Sequence, residues 1–154
     1  MIDTPQILQT VAQTTAVIHL TIPKDQIQHV MGPGIMELMG AVAAQGIVPT
    51  GRWFTHHLRM DPDTWDFEIG VPVDEPVAPA GRVRPGVLPA ATVARTIYHG
   101  GYEGLSGGWG ELMGWIAAQG RTPGPSLWET YLTDPSTNAD SSKWQTQLTR
   151  PLAD

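Results

Sequence analysis

One carboxylate in this chain has apolar and aromatic neighbours where charged strand residues usually face water. Glu129 alternates with Leu127 and Tyr131, so in a β-strand the three side chains share one face. A carboxyl group buried there is expected to have a raised pKa and to attract a desolvated cation. Tyr131 can donate a hydrogen bond to Glu129 or stack on a ligand. We predict that Glu129, Tyr131 and Leu127 contact a ligand; the alternative is a solvated strand carboxylate.

A second carboxylate, Glu68, lies in another predicted strand. Phe67, Ile69 and Val71 share one face of that strand, and Glu68 alternates onto the other. By this pattern Glu68 occupies the same type of face as Glu129. Two interpretations stay open: a second carboxylate of the ligand site, or an exposed residue of a β-hairpin.

An internal repeat organises the elements that position these side chains. Residues 37–46 and 111–120 are identical at eight of ten positions, at an offset of 111 − 37 = 74 residues. In both copies apolar residues recur at i, i+3, i+4 and i+7, which predicts one buried helical face. Gly46 and Gly120 follow, where a left-handed C-cap is needed. The repeat therefore predicts two similar helices, each ended by a glycine.

Each copy is predicted to form strand, helix, strand and strand, with the helices beginning after the polar or glycine-rich segments 24–34 and 99–108. Asp61-Pro62 and Asp134-Pro135 predict turns. Residues 74–91 carry four prolines and are predicted to be the connector between the copies, without a strand. The whole predicts one α+β domain over residues 1–154, with half-repeats at about 14–73 and 91–152 and an antiparallel sheet carrying both helices on one face. The faces with Phe54 and Leu58, and with Trp128 and Leu132, are predicted to meet the helices, and the face with Glu129 to point away.

Aromatic side chains are candidates for the walls of a ligand site. Trp53 stands 74 residues before Leu127, on the face of Thr55, and is predicted to be such a wall. Trp109 lies on the apolar face of the second helix, which indicates core packing. Tyr102 stands in the glycine-rich loop, which is either a rim of the site or merely a turn. We also place His57 among the ligand contacts.

Composition excludes several classes of site. The formal charge of −6 argues against a nucleic-acid surface, and the absence of cysteine excludes disulfides and thiolate chemistry. His56 and His57 are adjacent, so in a strand they point to opposite faces and cannot easily hold one metal ion. No phosphate-binding glycine loop, signal peptide or membrane-spanning run is apparent. We expect no metal and no cofactor, in a cytoplasmic protein that does not contact a membrane.

Five motifs follow one another along the chain: Glu68-Ile-Gly-Val-Pro72, His99-Gly-Gly-Tyr102-Glu-Gly-Leu105, Trp109 with Glu111-Leu112-Met113, Trp128-Glu129-Thr-Tyr131-Leu132-Thr-Asp134-Pro135, and Pro151-Leu152. No single motif is specific, but their order and spacing together are. Through them the chain, over about residues 5–152, resembles the GyrI-like family, the effector-binding domain of AraC-type and MerR-type multidrug regulators.

The resemblance implies a duplicated fold with a ligand groove between the halves, on the sheet face away from the helices. It places Glu129 at the groove floor, facing hydrophobic, aromatic and cationic small molecules, and an aromatic near the groove at Trp109. The chain offers no stretch for a helix-turn-helix domain, so we expect a free-standing member without direct DNA contact. One alternative is a hydrolase that opens cyclopropane-bearing alkylating compounds with Glu129 and Glu68. A second is a protein-interaction module of the gyrase-inhibitor type.

Overall fold

The computed structural model describes residues 2–60, 63–133 and 138–153. In this part of the chain there are eight strands and two α-helices, besides three short 3-10 turns. The turns predicted at Asp61-Pro62 and Asp134-Pro135 lie outside the described residues. The elements are β1 (Gln6–Gln9), β2 (Gln13–Pro23), α1 (Ile27–Ala44), β3 (Phe54–Met60), β4 (Thr64–Pro72), β5 (Val83–Leu88), β6 (Thr92–His99), α2 (Leu105–Ala118), β7 (Leu127–Tyr131) and β8 (Gln145–Pro151).

The N-terminal unit, Val11–Ala90, contains four antiparallel strands and α1. Its strand order is β3-β4-β2-β5. Leu38 and Val42 of α1 are 0% and 1% exposed and pack with Ile18, Phe67 and Ile69 of the strands. Their i, i+4 spacing places both on one helical face, and burial of that face holds α1 on the sheet.

The C-terminal unit comprises Ala91–Asp154 and Met1–Thr10, as far as the structure describes them. Its four strands are also antiparallel, in the order β1-β6-β8-β7. Leu112 and Ile116 of α2 pack with Leu148 of β8 in its core. The α+β class predicted from the sequence is therefore confirmed, and β1 joins the unit built from the second copy.

The two helices end as the repeat predicts. Gly46 and Gly120 have φ of 72° and 70°. After α1, the amides of Gly46 and Ile47 donate to the carbonyls of Ala43 and Val42 at 3.0 and 3.2 Å. The amides that follow α2 make the same pair of bonds to Ala117 and Ile116. Both helices thus end in the Schellman arrangement, which needs a residue with positive φ.

The predicted starts of the helices are wrong. α1 begins at Ile27 and runs through Pro33, and α2 begins at Leu105 within the glycine-rich segment. Pro33 removes one backbone donor, but Val30 and Met31 before it pack on the core. Tertiary packing therefore outweighs the local helix-breaking signal. None of the helices in the described part is long and apolar enough to cross a membrane.

The segment predicted as a plain connector contains β5, which pairs with β2 at the edge of the N-terminal unit. Pro85 within β5 lacks an amide donor, which an edge strand tolerates. Gly86 fits closely against β2, because a Cβ there would lie 2.9 Å from the Thr15 Oγ1 atom. Proline and glycine indicated a loop from sequence, whereas at an edge they are compatible with a strand.

The predicted orientation of the sheet faces is wrong in the C-terminal unit. Directly opposed residues of antiparallel strands share a face. Glu129 lies opposite Leu148, which packs with Leu112 of α2. Glu129 is therefore on the helix side. Trp128 points to the other side, although it is only 3% exposed.

The N-terminal unit corrects the prediction in the same way. Thr55 lies opposite Ile69 in the helix-side core, so Phe54, opposite Gly70, points away from α1. Glu68, opposite His56, is also on the side away from α1. Alternation identified which residues share a face, but both faces bury large apolar side chains, so hydrophobicity did not identify the side that meets the helix.

Candidate functional site

The Glu129 carboxylate lies in the C-terminal unit between one residue of α2 and one of its own strand. The Trp109 Nε1–H group donates to Glu129 Oε2 at 2.6 Å. The Tyr131 hydroxyl donates to Glu129 Oε1 at 2.8 Å. Glu129 is 8% exposed. The packing of α2 on this sheet thus brings Trp109 to Glu129 and Tyr131, two residues that the sequence had placed on one strand face.

The electrostatics of Glu129 are those of a buried carboxylate held by neutral donors. Burial raises the pKa of Glu129, and the hydrogen bonds from Trp109 and Tyr131 partly offset this rise. Among the described residues, no basic side chain forms a hydrogen bond or ion pair with Glu129. In its ionised form Glu129 is therefore a desolvated negative charge without a cationic partner.

Aromatic rings extend from this carboxylate through Tyr131. The Tyr102 and Tyr131 ring centroids are 5.9 Å apart in an edge-to-face arrangement. The Tyr102 and Trp144 centroids are 5.1 Å apart. Tyr102 is 38% exposed, and Leu127, also on the helix side, is 8% exposed. We call Trp109, Glu129, Tyr131, Tyr102 and Trp144 the Glu129 cluster.

The other predicted site residues, Trp53, His57 and Glu68, belong to the N-terminal unit. Trp53 immediately precedes β3 and is half-buried. Glu68 is half-buried, and its Oε1 atom is 3.6 Å from His56 Nδ1. The inference that Glu68 and Glu129 occupy the same type of face is wrong, because Glu68 points away from α1 whereas Glu129 faces α2.

His57 is buried on the helix side of the N-terminal unit. Its ring centroid is 5.3 Å from that of Phe67 in a stacked arrangement and 5.4 Å from that of Trp65, edge to face. Burial lowers the pKa of His57 to about 4, with a smaller contribution from the adjacent His56. His57 is thus a neutral core residue at physiological pH.

Two residues of interest escaped the sequence reasoning. Trp144 immediately precedes β8 and contacts Tyr102. Thr146 lies directly opposite Tyr131 in the β7–β8 ladder and is 0% exposed. The helical repeat does not extend to β8, so the repeat offered no signal for either. The described ranges contain no group of three or more His, Asp or Glu side chains that could hold a metal ion.

Several solved structures share this fold. The chain superposes on the EcmrR C-terminal domain with a TM-score of 0.85 and 21% identity, over 98% of both chains. In an EcmrR–DNA complex the TM-score is 0.83 and the identity 21%, and the match covers 97% of this chain but only 57% of that one. The protein SAV2435 bound to tetraphenylphosphonium matches with a TM-score of 0.64 and 13% identity, over 97% of this chain and 94% of that one.

The sequence comparisons give the family. No protein with a curated description matches the chain. The sequence profile of the GyrI-like small molecule binding domain matches residues 4–153, nearly the whole chain. The chain therefore belongs to the GyrI-like family of small-molecule-binding domains.

Proposed function

We propose that this domain binds hydrophobic, aromatic, cationic small molecules at the Glu129 cluster. The observation that carries the proposal is the buried Glu129 carboxylate, held by two neutral donors at 2.6 and 2.8 Å. Burial of such a carboxylate in a core that binds no ligand lowers the stability of the fold. A bound cation that displaces water beside the carboxylate balances its charge. Such an arrangement is typical of a binding site rather than of a packed interior.

The chemistry of the neighbouring side chains favours an aromatic cation. Trp109, Tyr131, Tyr102 and Trp144 offer ring faces and edges for stacking and cation–π contact, each worth about 0.5–2 kcal/mol. The net charge of −6 attracts cations at long range. Aromatic walls accept ligands of several shapes, so we expect broad selectivity.

One of the similar solved structures contains a ligand of this chemistry. Tetraphenylphosphonium, the compound bound by SAV2435, is a hydrophobic aromatic cation. EcmrR has a C-terminal domain of the same fold, and EcmrR forms a complex with DNA. For this chain we propose effector binding or sequestration. Contacts from Trp53, His57 and Glu68, and a groove between the two halves, stay predictions within the same proposal.

The alternatives have less support. The hydrolase hypothesis was motivated by two carboxylates on the same type of sheet face. Because Glu68 points away from α1 and lies beside His56, the pattern that suggested a general acid paired with a general base no longer applies. The hydrolase and protein-interaction hypotheses stay predictions that turnover and pull-down assays address.

A titration with tetraphenylphosphonium tests the proposal. Tryptophan fluorescence should report binding, because two tryptophans belong to the Glu129 cluster. Glu129→Gln keeps the shape of the side chain and removes its charge. We expect the affinity of this variant to fall by at least about tenfold, or about 1.4 kcal/mol.

Glu75→Gln is the matched control, because it changes the net charge equally at an exposed position of the N-terminal unit. This control should bind like the wild type within about twofold, since an exposed charge is largely screened by solvent and salt. No binding by the wild type, or equal losses in both variants, would refute a local role of Glu129.

A further inference from the structure

The Thr146 hydroxyl is a buried polar group without a visible role in the fold. Thr146 is 0% exposed. Its Oγ1 atom has no hydrogen-bond partner among the residues that the structure describes. Buried hydroxyl groups are usually satisfied, and an exception requires an explanation. On β8, Thr146 lies opposite both Tyr131 and Tyr98, which places its side chain on the helix side, next to the Glu129 cluster.

In the N-terminal unit the equivalent strand position is occupied by a large aromatic side chain. His57, 74 residues before Tyr131, lies opposite Phe67. Phe67 is 0% exposed and stacks on the His57 ring at 5.3 Å. In the C-terminal unit a threonine stands where this phenyl ring would be. The position beside Tyr131 is thus filled by a smaller side chain that carries an unsatisfied hydroxyl.

We propose that Thr146 is the second polar contact of the ligand site and selects aromatic cations that also carry a hydroxyl group. This inference rests on the proposed function, in which Glu129 takes the positive charge. A threonine hydroxyl both donates and accepts, so it can pair with a ligand hydroxyl in either sense. Glu129 and Thr146 are diagonal neighbours in the β7–β8 ladder. The backbones of two residues in this relation lie about 7–8 Å apart. A para-substituted phenyl ring on a cationic centre spans such a distance.

Two isosteric probes separate this hydrogen bond from shape and charge. One is 4-(hydroxymethyl)phenyl-triphenylphosphonium and the other is its 4-ethylphenyl counterpart. Thr146→Val removes the hydroxyl at nearly constant volume. The ratio of the two affinities should shift by about fivefold in favour of the ethyl compound in Thr146→Val, because only the hydroxymethyl compound loses a partner. Affinity for the ethyl compound should stay within about twofold of the wild type.

Thr15→Val is the matched control. Thr15 is 1% exposed in the N-terminal unit, and its Oγ1 atom likewise has no hydrogen-bond partner in the described ranges. This variant should leave the affinity ratio unchanged. In the ligand-free protein both variants should raise the midpoint of thermal unfolding, because each removes an unpaired buried hydroxyl. A lower midpoint for Thr146→Val would mean that the hydroxyl is satisfied within the fold, and would contradict the inference.

The outcomes distinguish the two proposals. If neither phosphonium binds the wild type, the proposed function is wrong and the role of Thr146 is wrong with it. If both bind in a manner that depends on Glu129, but the affinity ratio is the same in Thr146→Val and in the wild type, only the role of Thr146 is refuted. A fivefold shift seen equally in Thr15→Val would also refute it.

Discussion

At the scale of single residues, the strand position of Glu129 has opposite uses in the two copies. Glu129 and Thr55 are 74 residues apart, and both face the helix of their unit. Thr55 is 1% exposed beside the apolar core, whereas Glu129 is a buried carboxylate bonded to Trp109. A threonine there is compatible with packing, but a buried carboxylate lowers stability unless a partner compensates for it. We infer that Glu129 lowers the stability of the C-terminal unit and that its role is to bind a ligand.

The next residue on the same face shows the same divergence. Tyr131 bonds to Glu129, while its counterpart His57 is enclosed by Phe67 and Trp65. His57 has a pKa lowered to about 4, from an ordinary value of 6.5. Between these values the unfolded chain binds the proton and the folded chain does not. The contribution of His57 to stability is therefore present above pH 6.5 and is lost as the pH falls towards 4.

His57→Phe should reduce the acid sensitivity of the fold. Removing the titrating group should abolish about 2–3 kcal/mol of the decrease in unfolding free energy between pH 7 and pH 4.5. Urea unfolding at the two pH values measures this decrease. His29 is exposed on α1, and His29→Phe serves as the control, with the acid sensitivity of the wild type. An equal decrease in His57→Phe and the wild type would show that His57 is not a buried neutral residue.

At the scale of elements, the best-conserved feature between the copies is the end of each helix. Ala44 and Ala118 are the last residues of α1 and α2, 118 − 44 = 74 positions apart. The starts of the helices are not equivalent. At its N-terminal end α1 is about one turn longer than α2, because α1 continues through Pro33. The glycine caps have structural causes that a sequence pattern captures, namely a positive φ and two backbone hydrogen bonds. The helix starts depend on packing against the sheet, which local patterns do not contain.

Alanine at the two caps should be equally harmful. No atom lies within 4 Å of a Cβ built at Gly46 or Gly120, so the only cost is the left-handed backbone conformation. We expect Gly46→Ala and Gly120→Ala each to lower the unfolding free energy by about 1 kcal/mol in urea titrations.

Glycines inside the same helices provide the opposite result as a control. Gly40 and Gly114 are also 74 residues apart, and a Cβ at either would meet no atom within 4 Å. Gly40→Ala and Gly114→Ala should therefore raise the unfolding free energy by about 0.5–1 kcal/mol. Stabilisation by alanine at the caps would show that their positive φ is not required.

At the scale of the whole molecule, the duplicated sequence folds into two units of like topology and unlike interior. Each unit has four antiparallel strands and one helix. The sequence predicted this plan because helix periodicity, strand alternation and the glycine caps are local signals. It did not predict β5, because proline and glycine at a sheet edge resemble a loop.

The Glu129 cluster was predicted only in part, for a similar reason. The spacing of Leu127, Glu129 and Tyr131 indicated one shared face, and the strand confirms that sharing. Which side of the sheet meets the helix depends on long-range packing, since Trp128 is buried as well. The Trp109–Glu129 bond and the position of Thr146 opposite Tyr131 follow from that packing, so no local pattern contains them.

Charge recognition by Glu129 is the central claim, and a thermodynamic cycle tests it most directly. Calorimetry would compare tetraphenylphosphonium with the neutral tetraphenylmethane, both carrying the same short polyethylene glycol chain for solubility. The wild type should prefer the cation by at least about tenfold. Glu129→Gln should lower this preference by about tenfold, because the variant loses the carboxylate but keeps the aromatic rings that contact a cation. A preference for the cation that persists unchanged in Glu129→Gln would contradict the claim.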